Sequence, residues 1–396
     1  MAATAAVTVA VAMLPSTATS GPGVSRRQIK IGLHAPLTGA VPLPSGSVDR
    51  AARVFWRWLR VKDQPINGRH VRVFIRNDQA NPSTAVAVCK EMVEDDNVFL
   101  LAGTLQSGVP SASYACARYA ESVGVPYVGL GGPRSNLRLL QRYFALTATY
   151  RRQAELLADM FVDRLSARRR TNGVVWIDDP LSSEAHSAFV RVMEAKNADI
   201  DYDRSVPRTA GTVEARTIVE EMRLRGVDNV FFFHTPIFFL NVLKQANTQD
   251  FEPTWTGIGP GIGGNDQVVN ISCNDGDSID GARFLSALPA FDDRNEFDRS
   301  HDRAMNSIYP EASKDDVTWL GWATSKAIKR MLEAPGRRLT RARFGRVVER
   351  SQVRTGILPK IRFRPSDHFG GRGVHMLRAS CSDRRWHTAG RFITDF

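Results

Sequence analysis

The stretches of this chain best suited to chemistry are short, rich in hydroxyls and glycine, and each follows an apolar run. They are "GTLQS" (103–107), "GLGGPR" (129–134), "IDDPLSS" (177–183), "HTP" (234–236) and "GIGPG" (257–261). A hydroxyl ahead of a helix pairs with backbone N–H groups that have no intrahelical partner. The same helix start carries a partial positive charge and accepts carboxylates or phosphates. The machinery of covalent catalysis is missing: the sequence has no Gly-x-Ser-x-Gly elbow, no P-loop and no His pair at metal-ligand spacing. His234 is a lone candidate base. "GPGIGG" (259–264) formally matches a dinucleotide fingerprint, yet it contains a Pro, comes late and precedes "NDQVVN", a poor helix. The residues point to non-covalent recognition, with no catalytic residue, cofactor or metal.

The elements that position these stretches alternate regularly. "IKIGLHAPL" is a strand, "SVDRAARVFWRWLRV" a helix with Ala52, Phe55 and Leu59 on one face, and "RHVRVFIRND" a strand. Asn81-Pro82 starts a helix whose stripe is Ala85, Val86, Cys89, Met92 and Val93, with Pro at the first helical position. "VFLLAG" is a third strand. The helix after it carries Ala112, Ala115, Cys116, Tyr119, Ala120 and Val123 and stops at Gly124, before the strand "VPYVGL". The alternation then repeats through "YRRQAELLADMFVDRL", "NGVVWIDD", "SEAHSAFVRVMEAKN", "DNVFFFH", "IFFLNVLKQAN" and "TWTGIG". Such alternation implies an α/β protein with two doubly wound parallel-sheet lobes, the second beginning close to Thr147. Ligands of such sheets sit beyond the carboxyl ends of the strands, where all five hydroxyl- and glycine-rich stretches fall.

A length of 396 residues suits two domains of roughly 150 residues each. The net charge of +12 raises the question of nucleic acid, but the basic residues are scattered, with "ARRR" (167–170) the longest block and no aromatic-and-basic stripe. Nucleic acid is therefore not an expected partner. The N-terminus "MAATAAVTVAVAMLPSTATSGPG" reads as a secretory signal with an apolar core from Ala2 to Leu14 and small residues near Ala18–Ser20, so residues 1–27 are set apart from the fold. Four cysteines, Cys89, Cys116, Cys273 and Cys381, are too far apart for a zinc knuckle. An even number in an exported chain suggests disulfides, with three connectivities open and buried free thiols as the alternative.

The order "IKIGLHAPLTG", "RVFIRNDQANPSTAVAVCKEMV", "LLAGTLQSGVPSAS", "GVPYVGLGGP" and "VFFFHTPIFFLNVLKQA" resembles the leucine/isoleucine/valine-binding family of periplasmic-type solute-binding proteins, the receptors of ABC importers. The resemblance spans nearly the whole mature chain. It implies the type I periplasmic binding protein fold, with crossovers near Ala148, Ala287–Pro289 and Leu358–Lys360. Lobe I would be 28–147 plus 290–357, and lobe II 148–289 plus 358–396. It also implies a monomer in the periplasmic or cell-wall space, with a small-molecule ligand and membrane-bound ABC permease subunits as partners. A sensor of the same fold signalling to another protein is the second reading.

By that resemblance Ser107 gives its hydroxyl to a ligand carboxylate and Leu105 lines the same pocket. Other positions depart from the family pattern. Amino-acid-binding members place a Thr after two small residues at the end of the fourth strand, where this chain has Gly131, Gly132 and Pro133, followed by Arg134. The expected phenolic hydroxyl becomes Thr235, beside His234, and the acidic partner of an ammonium group aligns with Gly259. Asp178 and Asp179 are the nearest acidic candidates. An ammonium buried without a carboxylate is costly, so the ligand is expected not to be a plain branched-chain amino acid. Trp176 and Phe233 could wall an apolar solute, with Phe238 and Phe239 in the core. The pairing Cys89–Cys116 and Cys273–Cys381 would keep each bridge within one lobe.

Overall fold

In the computed structural model the described residues are 21–39, 45–103, 110–164, 167–258, 266–274, 276 and 279–390. The first sheet is laid down in the order β1 (Gln28–Ala35), α1 (Ser45–Val61), β2 (His70–Asn77), α2 (Pro82–Glu94), β3 (Leu100–Gly103), α3 (Pro110–Ser122), β4 (Tyr127–Gly129), α4 (Arg134–Leu137) and β5 (Tyr143–Ala145). Its strands are all parallel, in the order β2-β1-β3-β4-β5. The second series is α5 (Tyr150–Arg164), β6 (Asn172–Ile177), α6 (Pro180–Ala195), β7 (Tyr202–Val206), α7 (Thr212–Leu224), β8 (Asn229–Phe233), α8 (Pro236–Thr248), β9 (Thr254–Ile258), α9 (Asp266–Asn274) and β10 (Arg283–Ser286).

The chain then returns to the first lobe through α10 (Arg294–Phe297), α11 (Ser300–Ile308), α12 (Asp316–Glu333) and α13 (Arg341–Val348). A small ribbon, β11 (Gln352–Val353) with β12 (Ile361–Arg362), leads to β13 (His375–Ser380) and β14 (Arg385–Thr388). The second sheet runs β14-β13-β10-β9-β8-β6-β7, parallel except that β13 and β14 add antiparallel strands at one edge.

Each sheet is covered on both faces, as a parallel sheet requires. In the first lobe, α1, α11, α12 and α13 bury Val54, Phe55, Trp319, Trp322 and Phe344 on one side, while α2 and α3 bury Cys89, Met92 and Cys116 on the other. In the second, α7 and α8 close over one face with Met222, Phe238 and Phe239, and α5 and α6 over the opposite face with Phe161 and Phe189. Cys89 is disulfide-bonded to Cys116 (Cα–Cα 5.9 Å) and Cys273 to Cys381 (5.3 Å), each within one lobe. Among the described residues no helix is long and apolar enough to cross a membrane.

The chain passes between the two packed cores at three places. Leu146 belongs to the first-lobe core and Ala148 to the second; on the way back, Leu288 packs in the first-lobe core while Ala290, two residues later, still packs in the second. The third comes later than Leu358–Lys360. Leu358, Ile361 and Phe363 pack in the first-lobe core, Phe369 packs beneath β4 and β5, and Val374 is the first residue in the second. The cause is a backbone pairing: Ala145 N–H donates to His368 O (2.9 Å) and Gly370 N–H to Ala145 O (3.1 Å), so residues 368–370 extend the first sheet past β5.

The first and third crossovers touch backbone to backbone. A Cβ on Gly371 would stand 2.3 Å from the carbonyl carbon of Thr147, and one on Gly131 2.6 Å from the carbonyl oxygens of Thr147 and Ala148. Gly131 N–H also donates to Thr147 Oγ1 (2.7 Å). No rotamer change relieves a clash with backbone, so Gly371→Ala should cost about 1–3 kcal/mol, the usual range for overpacking. Gly345→Ala is the control: its Cβ meets nothing within 4 Å, and it lies inside α13, where Ala is the better helix former. Thermal melts should show Gly371→Ala well below the wild type and Gly345→Ala level with it or above. Equal melting of both variants would refute the tight crossover packing.

Candidate functional site

Local sequence rules explain most of the side chains at the carboxyl ends of the strands. Three helices begin with a capping residue followed by Pro: Asn81-Pro82, Asp179-Pro180 and Thr235-Pro236. Asn81 Oδ1 accepts from Ser83 N–H (2.9 Å) and Thr84 N–H (3.1 Å), Asp179 Oδ1 from Ser182 N–H (2.8 Å), and Thr235 Oγ1 from Phe238 N–H (3.3 Å). In each case Pro takes the first helical position, where an N–H would go unused.

In the first lobe, the turn after β1 is held by the turn after β2. Asn77 Oδ1 accepts from Leu37 N–H (2.9 Å) and Thr38 N–H (3.3 Å), and Asn77 Nδ2 donates to Thr38 Oγ1 (2.7 Å). Gly39 has φ +108°, and a Cβ there would stand 2.3 Å from Gln79 O. The stretches "PLTG" and "NDQANP" are therefore two sides of one lock.

Below them lies a buried polar chain that the sequence did not disclose. His34 Nδ1 is 2.6 Å from Asp78 Oδ2 and His34 Nε2 2.7 Å from the Tyr127 hydroxyl, while Asp78 Oδ1 accepts from Ala80 N–H (2.8 Å). Burial holds the Tyr127 hydroxyl well above the ordinary phenol range, and the neighbouring Tyr143 raises it further. The phenol thus stays neutral and can donate to His34. His34 also lies within 4.8 Å of the Cys89 and Cys116 sulfurs, but their disulfide leaves no thiolate to hold a metal ion.

In the second lobe, Asp179 uses its second oxygen to pair with Arg208, on the loop between β7 and α7. Arg208 and Asp179 in turn act on Tyr150, whose hydroxyl burial raises above its ordinary range. His234 completes the group. Its Nδ1 accepts from Thr235 N–H (2.8 Å) and its Nε2 lies 3.3 Å from Pro207 O, so the hydrogen sits on Nε2. Burial, reinforced by the Arg208 charge, lowers His234 to about 4. At neutral pH it is an uncharged side chain packed on Phe238 (4.4 Å between ring centroids).

This architecture, with capped helix starts following the strand ends, has known counterparts. The model of a family described as periplasmic binding protein matches residues 28–384. The chain belongs to the periplasmic binding protein family. Leu/Ile/Val-binding protein homolog 7 of Brucella suis biovar 1 (strain 1330) is 20% identical over 243 residues, a match spanning 59% of this chain and 59% of that protein's length. Among solved structures, a branched-chain amino acid ABC transporter protein from Thermus thermophilus with bound valine is 15% identical, with a TM-score of 0.75 over 94% of this chain and 98% of the other. A solute-binding protein of an ABC transporter from Rhodopseudomonas palustris BisB5, in complex with 3,4-dihydroxybenzoic acid, is also 15% identical, with a TM-score of 0.71 over 93% and 97%. At this identity the likeness is one of fold.

In this binding protein the sequence-derived candidates have separate fates. Leu105, Ser107 and Gly259 lie outside the described residues. Gly131 supports the first crossover, and Pro133 starts α4. Arg134 pairs with Asp367 (3.3 Å) and lies over the Phe369 ring (5.0 Å), which turns it toward the third crossover. Asp178 is exposed, its N–H bonded to Val206 O, while Asp179 is consumed by its cap and Arg208. His234, Thr235, Asp179, Arg208 and Tyr150 form one cluster. Arg208 was missed because a single Arg in "VPRTAGT" carries no spacing signal. Phe238 and Phe239 are buried in the core.

Three histidines are held near 4, each chiefly by burial: His234, His301 and His375. In the unfolded chain each returns to about 6.5. Between those values the unfolded chain binds protons that the folded one refuses, so stability should fall as pH drops from about 6.5 to about 4 and level off below. Each site contributes up to about 3 kcal/mol, from about 1.4 kcal/mol per pKa unit. Urea midpoints at pH 7 and pH 4.5 test this: the wild type should lose stability between them, and His234→Gln should lose less. Identical wild-type midpoints at both pH values would contradict it.

Proposed function

We propose that this protein is the extracytoplasmic receptor of an ABC importer, closing two lobes on a small carboxylate-bearing solute and releasing it chemically unaltered. The observation that carries the ligand class is the state of Asp179. Its two oxygens are committed to the N-terminus of α6 and to Arg208, so it is unavailable to an ammonium group. His234 next to it is neutral and Thr235 is a hydroxyl, which leaves a second-lobe surface suited to an uncharged or acid-bearing solute body. Such a surface fits an aromatic or aliphatic acid better than a zwitterion, whose buried ammonium would need its own carboxylate. In the first lobe the carboxylate falls to Ser107 and the helix start that follows it, where backbone N–H groups and the helix dipole favour an anion. The family resemblance assigns Leu105, Gly131 and Pro133 to the same side of the pocket as Ser107, and Gly259 to the other. The solute leaves by transfer to permease subunits, and the receptor acts as a monomer.

A ligand that binds only the folded, closed form raises stability with its concentration, by about 2.7 kcal/mol at a hundredfold excess over Kd. In a thermal-shift panel at millimolar concentration, benzoates or medium-chain monocarboxylates should raise Tm by several degrees, while leucine, isoleucine and valine leave it unchanged. A clear shift with the branched-chain amino acids and none with the acids would overturn the ligand assignment.

A further inference from the structure

Besides the crossovers, the two lobes share a contact made by side chains. Ser135 is the second residue of α4, seated in the first lobe by Leu137. Glu184 is in α6, seated in the second lobe by Ala185 and Phe189. Glu184 Oε2 accepts from both the backbone N–H (3.3 Å) and the hydroxyl (3.1 Å) of Ser135. Neither residue lies on a crossover.

We propose that Glu184 and Ser135 form a latch that favours the closed arrangement of the lobes before any solute arrives. Two features suit the pair to this task. First, α4 is not free to follow Glu184 by itself. Arg134 binds Asp367, which also takes Arg372 (2.9 Å), so α4 is fixed to the segment that continues the first sheet, and a pull on Ser135 is a pull on the lobe. Second, Ser135 is exposed and Glu184 only half-buried. Both return to water when the lobes part, so the contact reverses without stranding a buried charge. A carboxylate accepting from an N–H and a hydroxyl at such a rim shifts an equilibrium several-fold rather than by orders of magnitude. That is the useful range: an unliganded receptor biased toward closure binds more tightly by the fraction already closed, yet still opens to exchange its solute.

The test uses the full chain without added solute, so its outcome is independent of which solute binds. Small-angle scattering and amide hydrogen exchange are measured for the wild type, Glu184→Ala, Glu184→Gln and Ser135→Ala. Loss of the latch should lower the closed-to-open ratio about three- to ten-fold in Glu184→Ala. That change appears as a larger radius of gyration and faster exchange of the Ser135 amide. Glu184→Gln keeps an acceptor oxygen and Ser135→Ala keeps the N–H, so both should fall between. Glu184→Gln keeps the size of the side chain and Ser135 is exposed, so these are the working variants should Glu184→Ala fold poorly. A radius and exchange rate equal to the wild type in all the variants that fold would overturn the latch.

Discussion

The first crossover of this protein lies between two glycines, and the two-lobed design depends on that fit. Thr147 has the backbone of Gly371 against one side and that of Gly131 against another, at distances that leave no room for a methyl group. The contact joins the end of β4, the first crossover and the third into one knot, secured by the Gly131–Thr147 hydrogen bond. Everything on either side is an independently packed α/β lobe with its own helices on both faces of its sheet and its own disulfide. A chain so built is stiff within each lobe, so relative motion of the lobes must be taken up by dihedral changes at the crossovers, as in hinged domain closure.

The sequence was most legible where periodicity and helix starts act together. Parallel strands buried on both sides are continuous apolar runs, and β1, β3, β6 and β8 were plain for that reason. The pair Asn81-Pro82 marked the start of α2, whereas α6 and α8 begin at Pro180 and Pro236, ahead of the apolar stretches from Ser183 and Ile237 that read as helices. The edge strand β7, "YDRSV", has its three central residues exposed and carries no apolar alternation, so it passed unread. The late third crossover was equally hidden. Its position is set by two backbone hydrogen bonds to Ala145, and backbone pairing leaves no mark on residue type.

At the site, residue types were legible and their commitments were not. Asp179 and Thr235 are the residues a binding loop would use, and they are also the residues a helix cap uses; the structure shows both capping. Arg208 occupies Asp179 and adds its charge to the burial that lowers His234, yet it stands alone in its stretch. The His34–Asp78–Tyr127 chain joins residues on three strands or strand ends, and only the sheet order β2-β1-β3-β4 brings them together. In the proposed reading, recognition is distributed: hydroxyls and helix starts would supply polarity, and their buried partners would determine which of them remain for a solute.

The central claim is that an acid is held between the lobes and leaves as it came. It is tested most directly by a crystal structure of the protein with a carboxylate that raises its melting temperature, paired with mass analysis of the recovered solute. The account predicts an intact acid touching both the β4 end, near Gly131 and Pro133, and the second-lobe cluster of His234, Thr235 and Arg208. A solute bound to the outer surface of one lobe, or recovered with altered mass, would contradict it.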